Sequence, residues 1–341
     1  MGFLQSATSA DCARDAFYWN SRIGRGINFG NTFESPKEKE GFRRLKLEHF
    51  DLIKSAGFDS VRIPVRWSDH AGTKPPYRID PEFQDRVDRA IKEALSRDLT
   101  VIVNMHHYRE LMDDPEKHEE RFLSIWKQLA EHYRDYPLAL YFEPLNEPVG
   151  KLNAARWNGL QNKAVQLIRK TNPERAVLIA PIGWNRIDEL GNLEVPDANN
   201  LIVSVHYYEP HEFTHQGARW VDAPRPLGIR WTGSAEERRM VEEEMKAAVS
   251  WSKTHSIPVN IGEFGAYSKA DMESRRQWTT FIREQAEANG ISWNYWELYS
   301  VFGIYDSENN FWRKELLDAL LPDNKIDESQ KRSNSRTITE E

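Results

Sequence analysis

The residues from Asp80 to Met105 read DPEFQDRVDRAIKEALSRDLTVIVNM and hold one helix pattern followed by one strand pattern. Asp80 can cap the helix, and Pro81 occupies the first helical position, where proline is well tolerated. The apolar residues behind them form one stripe at helical spacing: Phe83, Val87, Ala90, Ile91 and Ala94. Residues 100–105 form a short, mostly apolar and β-branched run, which is typical of a strand buried on both faces. The stretch therefore predicts one helix and one strand of a parallel α/β fold.

Runs like residues 100–105 recur along the whole chain, and helix-like stretches separate most of them. Ser234 to Glu237, for example, is a capping box that opens a helix. The eight candidate strands are Gly26–Gly30, Ser60–Val65, Thr100–Met105, Leu138–Leu145, Ala176–Ile182, Leu201–Tyr207, Pro258–Ile261 and Ile291–Trp296. Eight alternating units predict a single α/β domain, a closed (β/α)8 or TIM barrel. No Gly-x-Gly-x-x-Gly turn follows any strand, which removes the main reason to prefer an open dinucleotide-binding sheet.

The domain boundaries follow from this pattern. We expect an N-terminal extension over residues 1–19, a catalytic barrel over residues 20–321 and a polar, disordered tail over residues 322–341. One connection, residues 209–233, is longer than most loops and contains Phe213, Trp220 and Trp231. We expect it to form a wall of a cleft.

Composition narrows the classes of partner. The formal net charge of -7 argues against binding to nucleic acid, which usually requires a basic surface. Cys12 is the only cysteine, so neither an internal disulfide nor a thiolate metal cage can form. No apolar run is long enough to cross a membrane, and residues 1–10 lack the pattern of a signal peptide. We expect a monomer without nucleic-acid or membrane partners. It is expected to be secreted if a signal has been removed and cytoplasmic otherwise.

Two glutamates follow strand-like runs and precede chain-turning residues, in Leu145-Asn146-Glu147-Pro148 and Ile261-Gly262-Glu263-Phe264-Gly265. The carboxyl ends of the strands form the active face of such barrels. Two carboxylates about 5 Å apart across that face are the arrangement of a retaining glycosidase. Taken alone, an Asn-Glu-Pro triplet also fits a surface or salt-bridged glutamate.

Other predicted strand ends carry more polar or aromatic residues than a fold requires: Asn31, Arg62, His106, His107, Asn146, His206, Tyr208 and Trp296. Arg62 lies inside an apolar run, so its charge needs a buried carboxylate partner. That partner is either Glu263, which would be kept ionised as the nucleophile, or another barrel acid such as Glu143 in a structural pair. Tyr208 is expected on the same side as His206, where it can donate to the nucleophile.

The adjacent residues His106 and His107 invite comparison with a metal site. Two ligands on one strand need a spacing of two residues, whereas adjacent residues point to opposite faces. We therefore expect no metal and no cofactor. One histidine is expected to bond a sugar hydroxyl or a catalytic carboxylate, and a histidine that faces away would be packed in the core.

Aromatic residues are abundant, with 12 Trp and 12 Tyr. Their faces suit the C–H faces of pyranose rings. Most are expected in the core. Those expected as sugar platforms are Trp67, Trp184, Trp220, Trp231 and Trp296.

Taken together, the motifs resemble those of glycoside hydrolase family 5, and in particular its thermophilic bacterial endo-β-1,4-glucanases, some of which also cut mannan. The segments that carry the resemblance, in chain order, are GRGINFGN (24–31), VRIP (61–64), NMHHY (104–108), FEPLNEP (142–148), HYY (206–208), FTHQGA (213–218) and GEFGAY (262–267). They span most of the chain. The resemblance implies a (β/α)8 barrel that cleaves internal β-1,4 bonds of cellulose-type glucans by a two-glutamate, retaining mechanism.

The resemblance also implies roles for individual residues. Glu147 is the expected general acid/base, Glu263 the expected nucleophile, and Asn146 the expected partner of the sugar 2-hydroxyl. The further residues expected around the sugar are Asn31, Glu34, Arg62, His106, His107, His206, Tyr208, Trp220 and Trp296. Pro144 departs from the family pattern and is expected to remove a strand hydrogen-bond donor, and Tyr299 is expected to narrow the cleft.

Alternatives remain open at this level. One is a β-1,4-mannanase or an enzyme that acts on both polymers, since the choice depends on how the site receives the sugar 2-hydroxyl. Another is a catalytically silent carbohydrate-binding barrel, against which the paired acids argue. A third is a metal-dependent barrel hydrolase, which a chelator would reveal.

Overall fold

The computed structural model describes residues 14–36, 45–221, 225–324 and 326. Eight parallel strands form a closed barrel in chain order, and β1 pairs with both β2 and β8. The strands are β1 Arg25–Asn28, β2 Ser60–Ile63, β3 Thr100–Asn104, β4 Leu140–Glu143, β5 Val177–Ile179, β6 Leu201–Tyr207, β7 Val259–Phe264 and β8 Ser292–Tyr295. This confirms the predicted (β/α)8 barrel.

Helices surround the barrel and connect its strands. They are α1 Ala16–Ile23, α2 Glu48–Ala56, α3 Pro81–Leu95, α4 Arg109–Asp113, α5 Pro115–His132, α6 Ala154–Arg169, α7 Ile182–Asn185, α8 His211–Thr214, α9 Ala235–His255, α10 Met272–Ala288 and α11 Lys314–Leu320. Two short 3-10 helices, Trp67–His70 and Ile187–Asn192, follow strands β2 and β5. A small antiparallel pair, β9 Tyr305–Asp306 and β10 Phe311–Trp312, precedes α11.

The local signals of the sequence explain where two of these helices begin. Asp80 caps α3 and accepts hydrogen bonds from the backbone N–H groups of Glu82 and Phe83. The predicted apolar stripe of α3 is buried. Ser234 and Glu237 form a complete capping box at the start of α9.

Two strand ends differ from the prediction, because β4 is shorter than its apolar run and β7 extends beyond the run predicted for it. Strand β4 ends at Glu143, so Glu147 lies four residues beyond it in the following loop. Strand β7 continues past Ile261, so Glu263 lies inside it. Pro144 also lies beyond β4, and the expected loss of a strand donor is therefore wrong. Its carbonyl accepts a hydrogen bond of 2.9 Å from Trp126 Nε1.

Helix α1 lies across the amino-terminal end of the barrel and crosses the boundary expected at residue 20. Trp19 and Ile23 of α1 pack with Ile102, Tyr141 and Ile202, which come from three different strands. This contact covers the floor of the barrel, so the carboxyl ends of the strands form the accessible mouth.

Some predictions fall on other parts of the chain. Residues 1–13, which include Cys12 and most of the expected extension, lie outside the described residues, as do residue 325 and residues 327–341 of the expected disordered tail. Among the described helices, none combines the length and the apolar character needed to span a membrane.

Candidate active site

Two carboxyl groups meet at the barrel mouth. Oxygen atoms of Glu147 and Glu263 and a ring nitrogen of His206 all lie within 4.8 Å of one another. The register between β6 and β7 shifts between Val205 and His206, and this shift places His206 opposite Glu263. Retaining glycosidases have carboxyl groups about 5 Å apart, whereas inverting enzymes need about 6.5 to 9.5 Å to admit a water molecule. The spacing fits a retaining mechanism.

Glu263 is held from both sides and is 4% exposed. Arg62 Nη1 donates a hydrogen bond of 2.7 Å to Oε1, and Tyr208 Oη donates one of 3.0 Å to Oε2. Burial raises the pKa of Glu263, and the neighbouring His206 and Arg62 reduce that rise. Burial also raises the pKa of Tyr208 well above its usual value, so the phenol keeps its proton and remains a donor.

Arg62 is completely buried and donates hydrogen bonds to several side chains of the site. Its Nε and Nη2 atoms donate to the two oxygens of Glu143 at 2.7 and 2.9 Å. Nη2 also donates to Asn146 Oδ1 at 2.6 Å, and Nη1 donates to Asn28 Oδ1 at 2.9 Å. The two alternatives for the partner of Arg62 are therefore both present, because the planar guanidinium can serve two carboxylates at once.

Glu147 has a different environment. Its backbone is left-handed, with φ 49°, and its N–H donates a hydrogen bond of 3.1 Å to Asn185 Oδ1. Its Oε1 lies 2.8 Å from His206 Nδ1. Burial raises the pKa of Glu147 to about 7, against the opposing charge of Arg62. Burial lowers the pKa of His206 to about 4, so the imidazole is neutral at pH 7.

A second acidic group lies beside this pair. Glu34 accepts hydrogen bonds from the backbone N–H groups of Asn31 and Thr32, and Asn31 Nδ2 donates to Glu297 Oε2 at 3.0 Å. Burial raises the pKa of Glu34 to about 8 and that of Glu297 to about 7. A Cβ at Gly30 would lie 2.4 Å from Glu297 Oε2, so a larger residue there would displace the carboxyl group of Glu297.

Tyr299 lies behind this group. It is only 7% exposed, and its hydroxyl forms a hydrogen bond with Thr32 Oγ1. The expectation that Tyr299 narrows the cleft is wrong, because its side chain packs inward.

His106 and His107 are on the same side of the mouth, with ring centroids 4.1 Å apart. The expectation that they point to opposite faces is wrong. Strand β3 ends at Asn104, and His107 has a left-handed φ of 54°, so strand alternation does not apply to this pair. His106 stacks on Trp296 at 5.9 Å with an angle of 8° between the rings. Burial lowers the pKa of both histidines, that of His107 to about 3.

Of the five tryptophans expected as sugar platforms, two are exposed, two are buried and Trp296 is half-buried. Trp184 and Trp220 are the exposed members, at 57% and 55%, and Trp220 packs against Tyr267. Trp67 and Trp231 are buried, so neither can be a sugar platform. Both fill space beneath the loops rather than facing the mouth, which sequence position alone does not distinguish.

Glu147, His206 and Glu263 form the one group of potential metal ligands found among the described residues. Carboxylate oxygens and imidazole nitrogens are both ligands that zinc accepts in proteins. However, Glu263 already accepts hydrogen bonds from Arg62 and Tyr208, and a cation here would lie close to the guanidinium. The arrangement fits acid/base chemistry better than metal binding, and a chelator tests the difference.

Three residues at the site were not singled out from the sequence. Asn28 is a polar residue inside a buried strand, a signal as strong as that of Arg62. Glu297 directly follows Trp296, a predicted strand end, and this position is the signal that could have identified it. Asn185 gave no signal, because it ends α7, a four-residue segment with left-handed backbone at Gly183 and Trp184, and its contact with Glu147 depends on the folded barrel.

Comparisons with known proteins agree with this geometry. A family model described as "Cellulase (glycosyl hydrolase family 5)" matches residues 36–300. Endoglucanase H of Acetivibrio thermocellus is 36% identical over 321 residues, which cover 92% of this chain. The chain spans about a third (34%) of the length of endoglucanase H, but 89% of endoglucanase A of Ruminococcus albus, which is 28% identical.

Solved structures are similar over nearly the whole barrel. Endoglucanase Cel5A from Thermotoga maritima has a TM-score of 0.87 and 49% identity, and the match covers 90% of this chain and 99% of that one. Further structures of Cel5A contain mannotriose or cellobiose, each with a TM-score of 0.88 and 48% identity, covering 90% of this chain and 100% of that one.

Proposed function

The chain belongs to the cellulase family, glycosyl hydrolase family 5, and from this premise we propose that it is an endo-acting glycoside hydrolase that cleaves internal β-1,4 bonds of glucans with retention of configuration. The observation that carries the proposal is the pair Glu147 and Glu263, whose carboxyl oxygens lie within 4.8 Å of each other at the barrel mouth.

In the first step Glu263 is the nucleophile. Its carboxylate attacks the anomeric carbon and forms a bond to it while the glycosidic C–O bond breaks. Glu147, whose pKa burial raises to about 7, gives its proton to the departing oxygen. The products of this step are a free sugar chain end and a covalent glycosyl-enzyme.

In the second step Glu147 acts as a base. Its carboxylate takes a proton from a water molecule, which attacks the anomeric carbon and releases Glu263 as a carboxylate. Two inversions give net retention. Glu147 is thereby protonated again and ready for the next cycle.

The residues around Glu147 and Glu263 favour different protonation states for the two carboxyl groups. Arg62 and Tyr208 each donate a hydrogen bond to Glu263, which favours its ionised form. Glu147 accepts no hydrogen bond from a charged group and keeps its proton to higher pH. We assign Asn146 to the 2-hydroxyl of the reacting sugar, since Arg62 fixes its amide oxygen and its side chain also forms a hydrogen bond with Glu147, which holds it beside the reacting groups.

The substrate class is a β-1,4-linked polysaccharide and its oligosaccharides. Cel5A of Thermotoga maritima has been solved with both cellobiose and mannotriose. We propose glucan as the main substrate, and mannan as a second candidate that uses the same two glutamates. His106, His107, Asn31, Glu34, Trp220 and Trp296 are assigned to the walls that bind the sugars.

Release of reducing sugar from carboxymethyl-cellulose and from glucomannan, with and without chelator, tests the proposal. Glu263→Ala is the blank. Release that survives chelator and disappears in the variant supports the two-glutamate mechanism, and the ratio of the two rates gives the preference. Loss of release in chelator would instead indicate a metal-dependent hydrolase. Binding without release in the unmodified protein would indicate a silent carbohydrate-binding barrel.

A further inference from the structure

Glu147 lies next to three left-handed residues of α7, the short and irregular segment that follows β5. Gly183, Trp184 and Asn185 have φ values of 69°, 62° and 58°, and Glu147 itself has φ 49°. Such values are uncommon outside glycine, and asparagine tolerates them better than most residues. A glutamate in this conformation persists only where its surroundings hold it there.

Two hydrogen bonds join the loop that carries Glu147 and Pro148 to residues 183–185. Asn185 Oδ1 accepts from the backbone N–H of Glu147 at 3.1 Å, and the N–H of Gly183 donates to the carbonyl of Pro148 at 2.9 Å. Asn185 is completely buried. Its buried amide therefore supports the backbone of Glu147 from a fixed position after β5.

We propose that Asn185 is a positioning residue for the acid/base glutamate. By accepting from the N–H of Glu147 it holds the left-handed backbone, and so aims the carboxyl group at the leaving oxygen. This inference rests on the proposed function. Asn185 touches no reacting atom, and the proton still passes from Glu147 to the leaving oxygen as the glycosidic bond breaks.

The requirement for this proton depends on the leaving group. A sugar hydroxyl is a poor leaving group and needs the proton, whereas dinitrophenolate leaves without one. The parameter kcat/KM reports the steps up to the formation of the glycosyl-enzyme when that step is irreversible. Comparison of cellotetraose with 2,4-dinitrophenyl β-cellobioside therefore separates the placement of Glu147 from general damage to the site.

Asn185→Gly is the first variant, since glycine accepts the left-handed backbone but removes the acceptor. We expect kcat/KM on cellotetraose to fall about tenfold or more, mainly through kcat, because small misplacement of a catalytic group is costly. On the dinitrophenyl substrate we expect a change within about twofold. A rise in KM alone would instead reflect displacement of the neighbouring Trp184.

Asn200→Gly is the matched control. Asn200 is also a buried, left-handed asparagine, with φ 54°, and its Nδ2 donates to the carbonyl of Glu174 at 2.7 Å. It precedes β6 and so lies at the floor of the barrel. Its replacement is expected to lower the melting temperature and to leave the ratio of the two kcat/KM values unchanged.

Asn185→Asp keeps an acceptor oxygen and provides a second test if the glycine variant does not fold. The added carboxyl group disfavours ionisation of Glu147, so the alkaline limb of kcat/KM on cellotetraose is expected to move to higher pH. An unchanged limb in this variant would overturn the proposal, as would equal losses on both substrates in Asn185→Gly. If the unmodified enzyme cleaves neither substrate, the proposed function itself is wrong.

Discussion

Arg62 Nη1 donates a hydrogen bond of 2.7 Å to Glu263 Oε1, while the same guanidinium binds both oxygens of Glu143. None of the three side chains is more than 6% exposed. One positive charge therefore serves a structural carboxylate and the proposed nucleophile together, which couples the stability of the barrel to the state of the active site.

Arg62→Met tests this coupling through stability. The variant leaves Glu143 and Glu263 buried without their positive partner, so the free energy of unfolding is expected to fall by about 3–5 kcal/mol at neutral pH. Denaturant unfolding measures it. Arg97→Met is the control, because Arg97 forms its ion pairs with Asp51 and Glu93 near the surface, and a much smaller fall is expected. Equal losses in the two variants would contradict the conclusion that the buried ion pairs of Arg62 stabilise the barrel.

The pH dependence of activity follows from the two glutamates. As the proposed acid, Glu147 must be protonated in the first step, and burial raises its pKa to about 7, so kcat/KM on cellotetraose is expected to fall as pH rises above about 7. As the proposed nucleophile, Glu263 must be ionised, and its pKa is also raised, so the acid limb is expected above the ordinary glutamate value of about 4.3. With 2,4-dinitrophenyl β-cellobioside the alkaline limb should disappear. Its persistence would assign that limb to another group.

Substitution of each glutamate should give a different pattern. Glu263→Ala is expected to lose turnover on all substrates by several orders of magnitude, since no glycosyl-enzyme can form. Glu147→Ala is expected to retain much of kcat/KM on the dinitrophenyl substrate and to lose activity on cellotetraose. Steady-state kinetics measure both. Glu284→Ala on the exposed side of α10 serves as the control, and exchanged patterns would reverse the assigned roles.

The two exposed tryptophans can be tested as sugar platforms. Trp184→Ala and Trp220→Ala are each expected to raise KM on cello-oligosaccharides by several-fold, because an aromatic face contributes about 1 kcal/mol through stacking. Phe17→Ala is the control, since Phe17 is 49% exposed and lies on α1 at the barrel floor. An unchanged KM in either tryptophan variant would remove that residue from the binding surface.

Asp88 gives a prediction about stability away from the site. Burial would raise its pKa, but hydrogen bonds from His132 and Tyr133 outweigh this effect and hold the pKa below its usual range. A depressed pKa stabilises the fold above about pH 4 and loses that contribution as pH falls through the folded value. Asp88→Asn is therefore expected to be less stable than the unmodified protein at pH 7, with a difference that narrows towards pH 2. Thermal unfolding at both pH values measures this, and a constant difference would contradict it.

Local patterns determined much of the fold. The stripe of α3, its cap at Asp80 and the short apolar runs each depend on neighbours within a few residues, and each appears as the expected helix, cap or strand, although some strand ends differ. Glu147 and Glu263 were identified because both follow such runs. A closed barrel brings the carboxyl ends of all its strands to one mouth, whatever the exact strand bounds.

Only the tertiary structure decided how the groups at the mouth are arranged. The sequence placed Arg62 in a buried strand and left two partners open, and the folded barrel supplies both. It placed His106 and His107 on opposite faces, but the chain leaves strand geometry before reaching them. The left-handed backbone of Glu147 and its support by Asn185 have no local signal, because that hydrogen bond joins residues 38 positions apart in the chain. Secondary structure depends on short-range spacing, whereas the charge and orientation of each active-site group depend on which distant side chains the closed barrel brings into contact.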